Sequence, residues 1–200
     1  MNPNRTAKSI VGAAGDFKRE ANDFYATPHS ASRALFAAEE FWGSIWEPSC
    51  GDGQICAVAT ECGHNVIGTD LIYRGYGEGG RDFLKEEKLL APNVVTNPPF
   101  KHAEKFIAHA LALGADKVAM LLRLQFLEGA RRRKMFESTP LARVLVFSKR
   151  IPRMHNPDYT GPKTTSLIAF AWFVWERGHN GAPEIRWIAP KEAEKVDPFA

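Results

Sequence analysis

The sequence has no long apolar run. Nowhere in its 200 residues does an uncharged apolar stretch approach the ~18–20 residues that a membrane-spanning helix requires. Met1 to Asp23 is polar and lacks the apolar core of a secretory signal. A cytoplasmic protein with no membrane association is expected. Cysteine is scarce: Cys50, Cys56 and Cys62 are an odd number at a spacing that fits no common zinc motif. Reduced thiols follow, without disulfide or structural metal. Internal repeats and low-complexity tracts are missing too.

What is present is ordinary for a globular protein, with 44% hydrophobic and 24% charged residues. The length suits one well-buried domain and is short for two. Residues 1–22 lack steady periodicity and read as a flexible N-terminal arm, ahead of a single domain over 23–200. The net charge is only +3, but it is unevenly spread. From Arg123 to Arg153 nine basic residues (Arg123, Arg131, Arg132, Arg133, Lys134, Arg143, Lys149, Arg150 and Arg153) face only Glu128 and Glu137. A local excess of +7 can attract a polyanion, although a solvated helix face would look the same.

Along the chain, Thr27-Pro28 gives a helix start with Thr27 as N-cap, continued by Ala34, Leu35, Ala38 and Phe41 at helical spacing. Strands are predicted at Ser44 to Glu47, Asn65 to Thr69, Asn93 to Thr96 and Lys117 to Leu122. Helices fill Ile55 to Cys62 and about His102 to Leu113. This alternation is the pattern of a parallel sheet covered on both faces. Past Gln125 come a basic helix (Gly129 to Phe136), a strand (Ala142 to Phe147) and a proline-bearing loop (Ile151 to Lys163). Thr165 to Trp175 reads as a buried central strand. Asn180-Gly181 marks a turn, after which Glu184 to Ile188 pairs as a last strand.

Ligands of such sheets bind where parallel strands end, and three strand ends carry unusual chemistry. The first is the turn Glu47-Pro48-Ser49-Cys50-Gly51-Asp52-Gly53. Its glycines let the backbone approach a ligand, yet its acidic residues would repel a pyrophosphate and suit a cation such as a sulfonium bearing an amino group. A tight turn with surface acids is the plain alternative. The second is Asp70, placed to accept both hydroxyls of a ribose, or simply to cap the next turn. The third, Asn97-Pro98-Pro99-Phe100, discriminates most. Two prolines stiffen the backbone, so the Asn97 side-chain oxygen and the Pro98 carbonyl become fixed acceptors for the two hydrogens of a primary amine. Phe100 offers a flat apolar face to a planar target. A rigid strand-end turn is its plain alternative.

These segments, with Asp23-Phe24-Tyr25-Ala26-Thr27-Pro28 and Asp82-Phe83-Leu84, resemble the S-adenosylmethionine-dependent adenine-N6 DNA methyltransferases of bacteria and phages. Their order is similar to the arrangement in which cofactor motifs precede the catalytic one. The similarity continues through Leu121 to Gly129 and the aromatic strand Ala171 to Trp175. It implies an α/β, Rossmann-like methyltransferase fold with a mostly parallel seven-stranded sheet and helices on both faces. It further implies that Tyr25 and Thr27 hold the carboxylate end of S-adenosyl-L-methionine. Glu47, Pro48, Cys50, Gly51 and Gly53 would hold its amino group and backbone, and Asp70 with Leu71 its ribose. Asp82 and Phe83 would take its adenine, where a helix N-cap and a core aromatic are the alternative. Asn97, Pro98, Pro99 and Phe100 would hold the target base, turned out of its stack.

No Pro-Cys nucleophile is present, which argues against cytosine-C5 chemistry. Arg131, Arg132, Arg133, Lys134, Lys149, Arg150 and Arg153 are the expected nucleic-acid contacts, giving affinity without sequence specificity. Little of the chain could form a separate recognition domain. The partner is expected to be DNA, with RNA open, and the assembly a monomer or homodimer. RNA-base and protein-glutamine methyltransferases present similar groups to a similar tetrad. A non-catalytic nucleic-acid-binding homologue is a rival of another class.

Overall fold

The computed structural model describes residues 24–154 and 164–192; the expected arm at 1–22 lies outside the described residues. Seven strands form one sheet in the order β2-β1-β3-β4-β6-β5-β7. They are β1 (Ile45–Glu47), β2 (Val66–Gly68), β3 (Asn93–Thr96), β4 (Lys117–Arg123), β5 (Leu141–Phe147), β6 (Phe170–Glu176) and β7 (Glu184–Ile188). β1, β2, β3 and β4 pair in parallel, while β6 runs antiparallel to both β4 and β5. β6 is therefore the one reversed strand, and the sheet is mostly parallel as expected.

Helices cover both faces because the buried strands alternate apolar side chains between two cores. On β4, Val118, Met120 and Leu122 face one core while Ala119 and Leu121 face the other. β6 does the same, with Ala171, Phe173 and Trp175 against Phe170, Trp172 and Val174. The first core packs beneath α3 (Ala103–Ala112), which contributes Phe106, Ile107 and Ala110. The second lies beneath α1 (His29–Ala38) and α2 (Gln54–Glu61), through Ala31, Leu35, Ile55 and Ala59. Complete burial of each such aliphatic or aromatic side chain contributes about 1.5–3 kcal/mol. Among the described residues no helix is long and apolar enough to cross a membrane.

Three local expectations change. Pro28, not Thr27, is the N-cap of α1, and no side chain caps that end; the Thr27 hydroxyl is engaged elsewhere. β6 begins at Phe170 and not at Thr165. There the Ser166 hydroxyl accepts from the Ile168 N–H (3.1 Å), and this local side-chain bond competes with a ladder. Finally, the helical spacing read as far as Phe41 stops at Ala38, where α1 ends. Both edges of β6 are already occupied, by β4 and β5, so the chain passes across and β7 pairs parallel to β5 on its outer side.

At the sheet's amino edge, the buried Glu39 takes Arg143 (2.5 and 2.8 Å) and Lys117 (3.2 Å), and Arg143 also meets Glu176. This network ties the end of α1 to β4, β5 and β6. Removing one partner of a buried ion pair leaves an uncompensated charge. Arg143→Met is expected to lower the unfolding free energy in urea titration by about 3 kcal/mol.

Candidate active site

Because β1, β2 and β3 are parallel, their carboxyl ends share one edge, and β2 and β3 lie on opposite sides of β1. A crevice at such a switch point is where α/β sheets bind ligands. A cleft of about 310 Å³ opens here. Glu47, Pro48 and Cys50 line it from the end of β1, Asp70 and Leu71 from beyond β2, and Asn97 and Pro99 from beyond β3. Tyr25 and Thr27 line it from the segment before α1, and Asp82 and Phe83 from the segment before β3. Gly51, Gly53, Pro98 and Phe100 do not line it.

Hydrogen bonds lock the three strand ends together. The Ser49 and Thr96 hydroxyls lie 2.7 Å apart, joining the β1 turn to β3. The Trp46 indole N–H donates to the Thr69 hydroxyl at 2.9 Å, and the Cys50 N–H to the Thr69 carbonyl at 3.0 Å. Asp70 receives the Gly51 N–H on one carboxylate oxygen and the Ile72 N–H on the other, both at 2.9 Å. A second lone pair on each oxygen stays free of these two bonds.

The two glycines of the turn make room for the chain's own aromatic rings. Gly51 has φ 56°, and a β-carbon there would run into the Phe24 ring. Gly53 has φ 87°, and its β-carbon would lie 2.5 Å from the Tyr76 ring. Phe24 also carries the Arg74 guanidinium 4.2 Å from its ring centre. Arg74 lines the cleft, and Tyr76 packs behind its turn, without having been singled out in the sequence, and Phe24 was named there without a role of its own; the closely spaced glycines were the available signal for rings packed on the turn.

Asn97 is held by its amide nitrogen, which donates to the Thr27 hydroxyl (3.0 Å) and to the Met154 sulfur (3.4 Å). Its carboxamide oxygen is buried and has no partner among the described residues. Pro99 accepts the His102 N–H at 2.8 Å, starting the 3-10 turn Phe100–His102. The Phe100 ring contacts Phe170 (6.0 Å between centres) and the Arg123 guanidinium (4.8 Å). Asp82 caps the short turn Phe83–Lys85 by accepting the Leu84 N–H at 3.1 Å. Phe83 is buried against Trp46, Phe106 and His109. Both the capping and the core roles are therefore filled at positions that also border the cleft.

The inner end of the cleft is acidic. Burial raises the Glu47 carboxyl to about 8, and the charges of Asp70 and Asp52 push the same way. A Cys56 thiol donating to it at 3.0 Å offsets part of this. Burial, reinforced by Glu47 and Asp70, pushes the Cys50 thiol up to about 12, so it is no thiolate nucleophile at neutral pH. Such a pocket repels anions and favours a cationic ligand.

The basic residues divide into two groups. On α4 (Ala130–Glu137), Arg131 pairs with Glu104 (2.8 Å) and Arg133 with Glu137 (2.6 Å). Arg132 donates to the Phe126 carbonyl (2.8 Å), and Lys134 is exposed. Lys149 and Arg150 are exposed just beyond β5, with Arg153 a few residues further.

No protein-family model matches the sequence, and no curated protein matches it. Similar folds occur among solved structures. A modification subunit of a putative type I restriction enzyme from Vibrio vulnificus has a TM-score of 0.56 at 15% identity, over 86% of this chain and 48% of that one. The chain thus spans about half the length of that subunit. A putative RNA methyltransferase from Pyrococcus horikoshii gives 0.55 at 17% identity, over 76% of this chain and 86% of that one. A predicted O-methyltransferase from Agrobacterium tumefaciens gives 0.51 at 14%, over 86% and 93%. This chain has the Rossmann-like α/β fold of these methyltransferase structures.

The Glu47 shift has a definite sign in stability. The folded protein keeps this proton up to about pH 8, while the unfolded chain releases it near the ordinary glutamate value. Between the two the folded state binds more protons, so stability falls as pH rises. Urea unfolding of the ligand-free protein is expected to show this decline between about pH 5 and 8. Glu47→Gln is expected to flatten it; an equally steep decline in the variant would contradict the assignment.

Proposed function

We propose that this chain transfers a methyl group from S-adenosyl-L-methionine to an exocyclic amino nitrogen, N6 of adenine in DNA. The observation that carries this reading is the Asn97 carboxamide oxygen. Among the described residues three buried side-chain polar atoms lack a partner, on Ser32, Asn97 and His179, and of these residues only Asn97 lines the cleft. A buried acceptor without a donor costs about 1–3 kcal/mol. A ligand N–H that reaches it removes that cost, and a primary amine has two.

The donor fits the inner cleft by charge. Its sulfonium and amino groups suit the carboxylates of Asp52 and Asp70, the Glu47 carboxyl, protonated in the ligand-free protein, offers its oxygens to the amino N–H groups, and the spare lone pairs of Asp70 suit a ribose diol. Tyr25, Leu71, Asp82 and Phe83 border the same space for its remaining parts. When bound, the donor supplies an electrophilic methyl group. The residues of this chain then position and polarise the amine. Asn97 takes one amine hydrogen on its oxygen, and the carbonyl of Pro98, which follows Asn97 directly but does not itself line the cleft, takes the other once the base is seated. With both hydrogens engaged, the lone pair turns from the base towards the methyl. The new C–N bond forms as the C–S bond breaks, and the two acceptors stabilise the positive charge developing on nitrogen, the converse of an oxyanion hole. The surplus proton leaves to solvent. Alignment contributes much of the remaining acceleration, and direct transfer needs no covalent intermediate. The restriction-enzyme modification subunit among similar folds supports DNA, as does the basic excess from Arg123 to Arg153.

Transfer of labelled methyl to unmethylated DNA, RNA or a glutamine-bearing protein tests the reading, and label in adenine N6 of DNA is the expected result. Asn97→Ala is expected to abolish transfer while donor affinity by calorimetry stays within about twofold; undiminished turnover would remove Asn97 from the mechanism. Thr27→Val frees the Asn97 amide, and turnover is expected to fall by about tenfold, the equivalent of ~1.4 kcal/mol. Thr27→Ser, which keeps the hydroxyl, is expected to restore it.

A further inference from the structure

We infer that a nucleic-acid strand crosses the carboxyl edge of the sheet from the cleft to a second hollow, with Lys101, Arg123, Lys149 and Arg150 taking its phosphates. This rests on the proposed function and says where its polymeric substrate lies. The hollow is about 280 Å³, between the ends of β4 and β5 and the start of β6. Phe147, Ile151 and Phe170 give it an apolar floor, and Ser148, Lys149 and Arg150 a polar rim.

Sheet order dictates the path. From β3 the neighbours are β4, then β6, then β5. β3, β4 and β5 all end on the cleft's edge, and reversed β6 begins there. Lys101 follows the end of β3, Arg123 is the last residue of β4, and Lys149 and Arg150 follow β5. All four are exposed, and among the described residues none of them forms an ion pair. Three inter-strand gaps of about 4.8 Å put roughly 14 Å between the β3 and β5 ends. Each strand of a duplex advances about 3.4 Å per phosphate along the helix axis, so the row spans roughly four phosphate steps.

Aromatic rings follow the same line. Phe170 touches Phe100 of the tetrad and also floors the hollow, so one ring joins the two sites. Alternating cations and rings are how single strands are held without sequence preference. The arginines of α4 carry more charge on paper, yet Arg131 and Arg133 face carboxylates at 2.8 and 2.6 Å. Phosphates would have to displace those partners, whereas the edge cations are free to accept them.

The test is the salt dependence of binding of a fluorescent duplex of about 20 base pairs, read by anisotropy. Lys149→Ala/Arg150→Ala is expected to reduce the log–log salt slope by about 2, near one unit per lost phosphate contact. Arg131→Ala/Arg133→Ala is expected to leave it unchanged. Calorimetry with S-adenosyl-L-methionine should give both variants wild-type donor affinity, which shows that they are folded. An unaltered slope in the first variant, or a larger loss in the second, overturns the path. A duplex RNA of equal length that binds more tightly through the same two residues overturns DNA as the occupant. Absence of donor binding by the wild type would instead defeat the methyltransferase reading, while the slope change would still stand.

Discussion

Parallel pairing of β1, β2 and β3 is the constraint on which the site depends. Each strand is only three or four residues long, so none could hold a side chain in place alone. Their shared direction delivers Glu47, Asp70 and Asn97 to one edge, and the bonds Ser49–Thr96, Trp46–Thr69 and Gly51–Asp70 then fix the ends to one another. Asn97 gains its orientation from outside the sheet, through Thr27 before α1 and Met154 beyond β5. A residue from the end of β3 is thus held by segments 70 positions before it and 57 after it. Such long-range anchoring keeps one oxygen unpartnered at the cleft, since the amide nitrogen cannot turn away.

Charge is arranged in three zones that do not mix. The inner cleft gathers Glu47, Asp52 and Asp70 in a setting dry enough to hold a proton on Glu47. Unpaired cations lie along the outer edge, from Lys101 to Arg150. At the opposite edge, buried Glu39 is compensated by Arg143 and Lys117, and its role is to join helix and sheet. A cationic small molecule and an anionic polymer can meet over the first two zones without competing for the same groups. The third zone shows that a dense ion-pair network need not mark a site.

Much of this was legible from residue order because strand ends are punctuated. Pro98-Pro99 stops β3 where its buried apolar run ends, and β3 falls at Asn93–Thr96 as expected. The helical spacing of Ala34, Leu35 and Ala38 and the aromatic run before Glu176 likewise placed a helix and a central strand. Misreadings arose where one local pattern serves two purposes. Thr27-Pro28 has the form of a helix cap, but the Thr27 hydroxyl is drawn to Asn97. Gly51 and Gly53 carry a further role that their spacing alone did not show, making room for the rings of Phe24 and Tyr76. Phe41 continues the helical spacing of α1, but the helix ends at Ala38.

The sequence by itself determined the alternation of strands and helices, the acidic turn after β1 and the rigid acceptor pair after β3, because hydrophobic period and proline geometry act over a few residues. Only tertiary structure decided which groups are free to act. Among the described residues, Asn97 is left with an open acceptor, the α4 arginines are turned to carboxylates, and the edge cations are left unpaired. Those outcomes depend on which distant side chains arrive within about 3 Å, the reach of a hydrogen bond. Spacing along the chain carries no record of that distance.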